Sequence, residues 1–146
     1  MKYIKPFIIT TILLFHQYTL AQDYTHPLDF NMLLSGTFGE LRTNHFHAGI
    51  DIKTEGVEGQ KIRAIADGYV SRIKVSTYGY GKAIYLTHPE TGHTSVYAHL
   101  QKFSNRINDL VKKEQYKKES FEIDFFPNKD ALSIKQGEII ALSGNS

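Results

Sequence analysis

From Gly36 onward the chain breaks into short alternating runs separated by glycine-bearing turns, which restricts it to a mainly β architecture. Lys61 to Ala66 is a strand candidate, and Ala66-Asp67-Gly68-Tyr69 carries an Asp-Gly turn signal. Tyr69 to Ser76 alternates, which predicts Tyr69, Ile73 and Val75 on one face. Tyr78-Gly79-Tyr80-Gly81 reads as a turn, Ala83 to Thr87 as a strand, and His88-Pro89-Glu90-Thr91-Gly92 as a hairpin loop. His93 to Leu100 alternates again. Its pattern predicts Thr94, Val96, Ala98 and Leu100 on the more apolar face, with His93, Ser95, Tyr97 and His99 opposite.

The period changes after Phe103. Ile107, Leu110 and Val111 have helical spacing and Ser104 can cap, so 104–118 is expected to be one amphipathic helix. Phe121, Ile123 and Phe125 alternate with Glu122 and Asp124 as a further strand, ended by Pro127-Asn128-Lys129-Asp130. The last strand is Glu138 to Leu142. A weak echo links Gly59-Gln60-Lys61-Ile62-Arg63-Ala64-Ile65-Ala66 to Gln136-Gly137-Glu138-Ile139-Ile140-Ala141-Leu142: each is a glycine turn leading into a short strand with an alanine inside.

The first 21 residues stand apart. Lys2 and Lys5 form a positive n-region, Phe7 to Phe15 an apolar run, and Thr19-Leu20-Ala21 a small-residue cleavage site, the anatomy of a secretory signal peptide. The run is too short for a transmembrane anchor, since a bilayer core is about 30 Å thick. The expected destination is the periplasm, cell envelope or exterior. Residues 22–35 are then a lead-in and 36–146 a single domain. The chain has no cysteine, so neither a disulfide nor a lipid-bearing cysteine is available, and stability must come from the core or a metal. The net charge of +2 is small and Glu114 and Glu119 interleave with Lys112, Lys113, Lys117 and Lys118, which argues for a solvated helix face and against a nucleic-acid partner.

The candidate chemistry lies in Phe38-Gly39-Glu40 and His47-Ala48-Gly49-Ile50-Asp51. An imidazole and a carboxylate four residues apart, with a glycine to turn the backbone, are good ligands for zinc. A plain hydrogen bond between them would explain the same spacing. His99 in Tyr97-Ala98-His99-Leu100 could shuttle a proton or donate to a developing oxyanion, or be a surface residue at a strand end. His45 could compete with His47 as a ligand. His88 reads as a turn residue, and His93 is about 20 Å from His99 along the strand by the usual rise per residue.

Phe38-Gly39, His47-Ala48-Gly49-Ile50-Asp51-Ile52, Ala64-Ile65-Ala66-Asp67-Gly68-Tyr69-Val70, Tyr97-Ala98-His99-Leu100 and Gln136 to Ser146 together resemble, in order, the blocks of the lysostaphin-type (LytM-like) zinc metallopeptidases. The resemblance implies an antiparallel β core of the duplicated-hybrid-motif type and hydrolysis of peptide bonds in peptidoglycan. It implies that His47 and Asp51 are zinc ligands and that His99 is catalytic.

Two departures accompany it. The family's His-x-His block, which brings the third zinc ligand, would follow Ser143-Gly144-Asn145-Ser146, so that ligand is expected beyond Ser146 in a longer chain and these 146 residues alone are expected to be inactive. The segment from about 104 to 134 reads as an insertion. The alternative to a peptidase is a non-catalytic peptidoglycan-binding or regulatory homologue of the same fold. A biotinyl or lipoyl carrier ranks last, because Asp67-Gly68 stands at the hairpin tip where a modifiable lysine is needed.

Overall fold

The computed structural model describes residues 23–144. Residues 1–22, where a signal peptide is expected over 1–21, and the last two residues lie outside that range. Along the described chain run β1 (Leu34–Gly36), β2 (Asp51–Ile52), β3 (Lys61–Arg63), β4 (Gly68–Val75), β5 (Lys82–Thr87), β6 (Thr94–Tyr97), β7 (Leu100–Phe103), α1 (Asn105–Lys118), β8 (Ile123–Phe125), β9 (Ser133–Ile134) and β10 (Ile139–Ser143). The architecture is mainly β, and every strand pair is antiparallel. A large sheet has the order β6-β5-β4-β8 with β9 also on β4; a second is β3-β10-β7; β1 and β2 form a small third. Among the described residues no helix is long and apolar enough to cross a membrane.

The core is continuous between the two larger sheets and the helix. Val70, Ile73, Val75, Ile84 and Leu86 from β4 and β5 share one buried cluster with Phe103, Ile107, Val111, Ile140 and Ala141. Ile73, Ile84, Ile107 and Ile140 are wholly buried, and each such side chain contributes roughly 1.5–3 kcal/mol of transfer free energy. This cluster stabilises a chain that has no disulfide.

Two expectations about strand faces are corrected. In β4 the buried residue is Val70, and Tyr69 is only partly buried. The pairing of β4 with β5 shifts register between Val70 and Arg72, and this bulge changes the parity, so that Val70 joins Ile73 and Val75 inside. In β6 Tyr97 is buried and Val96 is 47% exposed, the reverse of the predicted faces. The Tyr97 hydroxyl accepts the Ile65 amide at 3.0 Å and lies 3.2 Å from Ser95 Oγ, so an inward polar tip is satisfied and the ring can be buried.

The helix forms where its period predicts, with Ile107 and Val111 inward. Ser104 holds the N-cap position, yet its side chain makes no capping bond. The helix ends in a left-handed C-cap at Glu119, whose amide returns to Tyr116. The sequence echo has a structural counterpart: β3 and β10 pair with each other, Ile62 opposite Ala141. Gly59 and Gly137, which open the two copies, both have a positive φ, 82° and 77°. The Gly59 amide bonds the Ser143 carbonyl, and the Gly137 amide bonds that of Ala64. Each turn is thereby tied to the other strand.

Candidate functional site

The site begins as a hairpin. The Gly39 amide bonds the His47 carbonyl, the His47 amide bonds the Glu40 carbonyl, and the Arg42 amide bonds the His45 carbonyl, with Leu41 and Phe46 bridged. This ladder brings His47 beside Asp51, which starts β2 and is paired to Gly36 of β1. Gly49, between them, does not use the left-handed region; a Cβ there would meet only His47 Nε2, at 3.9 Å.

The hydrogen bonds settle which lone pairs are free. His47 Nδ1 lies 3.0 Å from the Thr37 carbonyl, which can only accept, so Nδ1 carries the hydrogen. In the neutral ring Nε2 then presents its lone pair, and it lies 3.2 Å from Asp51 Oδ1. Two electron-pair donors at that distance repel unless a proton or a cation sits between them. Two ligands of one tetrahedral zinc ion, with bonds of about 2.0–2.2 Å, are about 3.3–3.5 Å apart, so the spacing fits a shared ion. Among the described residues no three His, Cys, Asp or Glu side chains gather as a metal site. The pair therefore fits two positions of a coordination sphere and leaves the others to groups outside it.

The other Asp51 oxygen is also engaged. Arg42 Nη2 donates to Asp51 Oδ2 at 2.7 Å and reaches Glu40 Oε2 at 3.1 Å. These carboxylates hold the Arg42 guanidinium above its ordinary pKa, the Asp51 hydrogen bond being the largest cause. Arg42 escaped the sequence reading, although it stands in the same block as Phe38-Gly39-Glu40.

His99 sits at the break between β6 and β7, so it belongs to neither strand face. Its φ is +53°, a left-handed conformation that costs an ordinary residue about 1–2 kcal/mol. Its amide donates to the Tyr80 carbonyl at 3.0 Å, its carbonyl accepts the Gly144 amide at 2.9 Å, and its ring meets Tyr80 edge-on, 6.2 Å between centroids. These three contacts hold the strained residue at the wall of a groove of about 980 Å³ lined also by His47, Asp51, Arg42, Tyr80 and Tyr97. The structure thus brings all three predicted site residues to one groove.

His45, His93 and His88 part from it. His45 Nδ1 contacts its neighbour Asn44 Oδ1 at 2.7 Å, and the ring does not line the groove. His93 pairs with the Tyr24 hydroxyl at 2.7 Å on the surface. His88 is far more than a turn residue: it is 1% exposed, with Nδ1 2.8 Å from the Asp67 carbonyl and Nε2 2.8 Å from Ser95 Oγ.

Residues 45–116 match the family model described as peptidase family M23. This stretch carries the family's domain. No curated protein and no solved structure matches the chain. The M23 match contains His47, Asp51 and His99, and runs from the site hairpin to Tyr116 in α1.

Proposed function

We propose that this chain is an exported zinc metalloendopeptidase of the M23 family that hydrolyses peptide bonds of peptidoglycan. The observation that carries the reading is the pair of lone pairs, His47 Nε2 and Asp51 Oδ1, converging at 3.2 Å on the wall of the groove that also holds His99. His47 and Asp51 would hold the ion, with a third protein ligand from outside the described residues. When bound, zinc supplies Lewis acidity toward a peptide carbonyl and an acidified water. The Thr37 carbonyl keeps His47 in the tautomer that offers Nε2. His99 would donate to the carbonyl oxygen of the cleaved peptide as charge develops there, or pass a proton to its nitrogen. Its backbone is pinned at both the amide and the carbonyl, which limits what reorientation the ring must undergo. Export rests on Lys2, Lys5, the Phe7 to Phe15 run and the site after Ala21.

A second reading is a non-catalytic homologue that binds peptidoglycan. It needs the groove lined by Tyr80, Tyr97 and Arg42 but no ion. The test, on a chain that continues past Ser146 through the expected His-x-His block, is zinc content by elemental mass spectrometry together with release of new amines from purified sacculi. Zinc at one per chain with amine release that His99→Ala abolishes supports the peptidase. Pull-down with sacculi without zinc or release supports the binding homologue. Neither zinc nor sacculus binding refutes both.

A further inference from the structure

We propose that Arg42 is the positioning residue of the metal pair. Its guanidinium occupies Asp51 Oδ2, so that Oδ1 alone is turned toward His47 Nε2. The inference rests on the zinc reading above and concerns how the two ligands are held.

A carboxylate can offer one oxygen or both to an ion, and it can rotate about its Cβ–Cγ bond. Here both freedoms are removed. Arg42 Nη2 takes Oδ2 at 2.7 Å, and the oxygen left over is the one 3.2 Å from His47 Nε2. The arginine is fixed in turn by Glu40 Oε2 at 3.1 Å, and Glu40 also accepts the Thr37 amide at 3.3 Å. Thr37 supplies the carbonyl that orients His47. One short loop therefore aims both ligands. With His47 neutral, Arg42, Glu40 and Asp51 leave a single net negative charge beside the pair, the sign a cation requires.

Two further observations show that the arrangement is built in. Gly36 faces Asp51 across the β1–β2 pair, and a Cβ there would clash with Asp51 Oδ2 and lie 2.5 Å from Arg42 Nη2. Only a residue without a side chain lets the two strands close over this ion pair. Arg42 Nε is buried with no hydrogen-bond partner, alone among side-chain nitrogen and oxygen atoms of the described residues. The guanidinium is thus set by its Nη2 contacts to the carboxylates, at the expense of a good environment for Nε.

The test is zinc affinity, measured by competition with a chromophoric chelator, on the chain continued past Ser146 through the third ligand and on its variants. Loss of a residue that orients a metal ligand typically costs about 10–100-fold in affinity. Arg42→Met is expected to weaken zinc by that factor. Arg42→Lys keeps the charge and loses the planar fork, so an intermediate loss of about 3–10-fold is expected. Gly36→Ala should lower affinity from the other side of the same contact. Circular dichroism and thermal melts monitor the fold. If Arg42→Met does not fold, Arg42→Lys decides: weaker zinc at an unchanged melt supports the proposal, and unchanged affinity overturns it. A wild-type chain that binds zinc with an Arg42→Met variant of equal affinity overturns this inference and spares the zinc reading. A wild-type chain that binds no zinc overturns both.

Discussion

Gly144→Ala tests how β10 holds His99. A Cβ built on Gly144 would lie 2.6 Å from the His99 carbonyl oxygen, 3.2 Å from the Gln101 amide nitrogen and 3.4 Å from the Leu100 carbonyl carbon. All three are backbone atoms, so no side-chain rotation relieves the overlap. Gly144 has no positive φ, and alanine can adopt its backbone conformation, so the whole cost is steric. A retreat of about 0.8 Å takes the closest contact from 2.6 Å to the 3.4 Å at which ordinary contact begins. The same retreat stretches the 2.9 Å bond between the Gly144 amide and the His99 carbonyl past bonding distance. Losing that bond costs about 1 kcal/mol, and the crowding that remains about 1 more. The expected loss is about 2 kcal/mol, a fall of about 8 °C in Tm for a domain of this size. The assay is a thermal melt with amide spectra. The His99 and Gly144 amides should shift, and exchange at Gly144 should quicken.

Gly137 is the control. Its φ is +77° and a Cβ there meets nothing within 4 Å, so Gly137→Ala costs about 1–2 kcal/mol from backbone strain alone. Asparagine tolerates the left-handed region, so Gly137→Asn should recover much of the loss, whereas Gly144→Asn should recover none. A Gly144→Ala protein with wild-type Tm and an unmoved His99 amide would refute the steric argument.

Three other outcomes follow from the same contacts. Ile73→Ala empties a wholly buried position between the sheets and should cost about 3 kcal/mol by chemical denaturation, with no change in the denaturant slope. His88→Ala takes the imidazole partner from the Asp67 carbonyl, leaves Ser95 Oγ with the Tyr97 hydroxyl alone, and removes a buried ring. A loss of about 2–4 kcal/mol is expected, and a near-neutral result would mean the pair finds other partners. Acid should weaken the fold through Asp124, Asp67 and Glu122. The Arg72 fork holds Asp124 below its ordinary 3.8, Lys135 and the Gln136 amide do the same for Asp67, and the Thr77 hydroxyl and amide hold Glu122 below 4.5. Because the unfolded chain binds protons first, this stabilisation is complete above those ordinary values and is lost as pH falls through the lowered folded ones. Asp124→Asn should flatten the acid limb of Tm against pH; an unchanged limb would remove Asp124 from the account.

Local pattern and tertiary contact divide this protein cleanly. Alternation and helical spacing are properties of neighbours along the chain, so β4, β5, β6, α1 and β10 were legible from residues 61–142, as was the His47 to Asp51 spacing. Facing directions were less so. One bulge between Val70 and Arg72 reverses parity, and bonds from Ile65 and Ser95 turn Tyr97 inward against the apparent pattern. His88 looked like a loop residue because its partners, Asp67 and Ser95, come from segments on either side of it.

The site divides the same way. The sequence by itself determined that an imidazole and a carboxylate lie within reach of each other, and that His99 ends the Tyr97-Ala98 run. Only the tertiary structure decided which atoms meet. The Thr37 carbonyl assigns the His47 tautomer, Arg42 takes one Asp51 oxygen and leaves the other, and Gly144 reaches across to pin His99. Spacing limits which side chains can be neighbours, whereas the direction of a lone pair depends on hydrogen-bond partners that only folding brings into place.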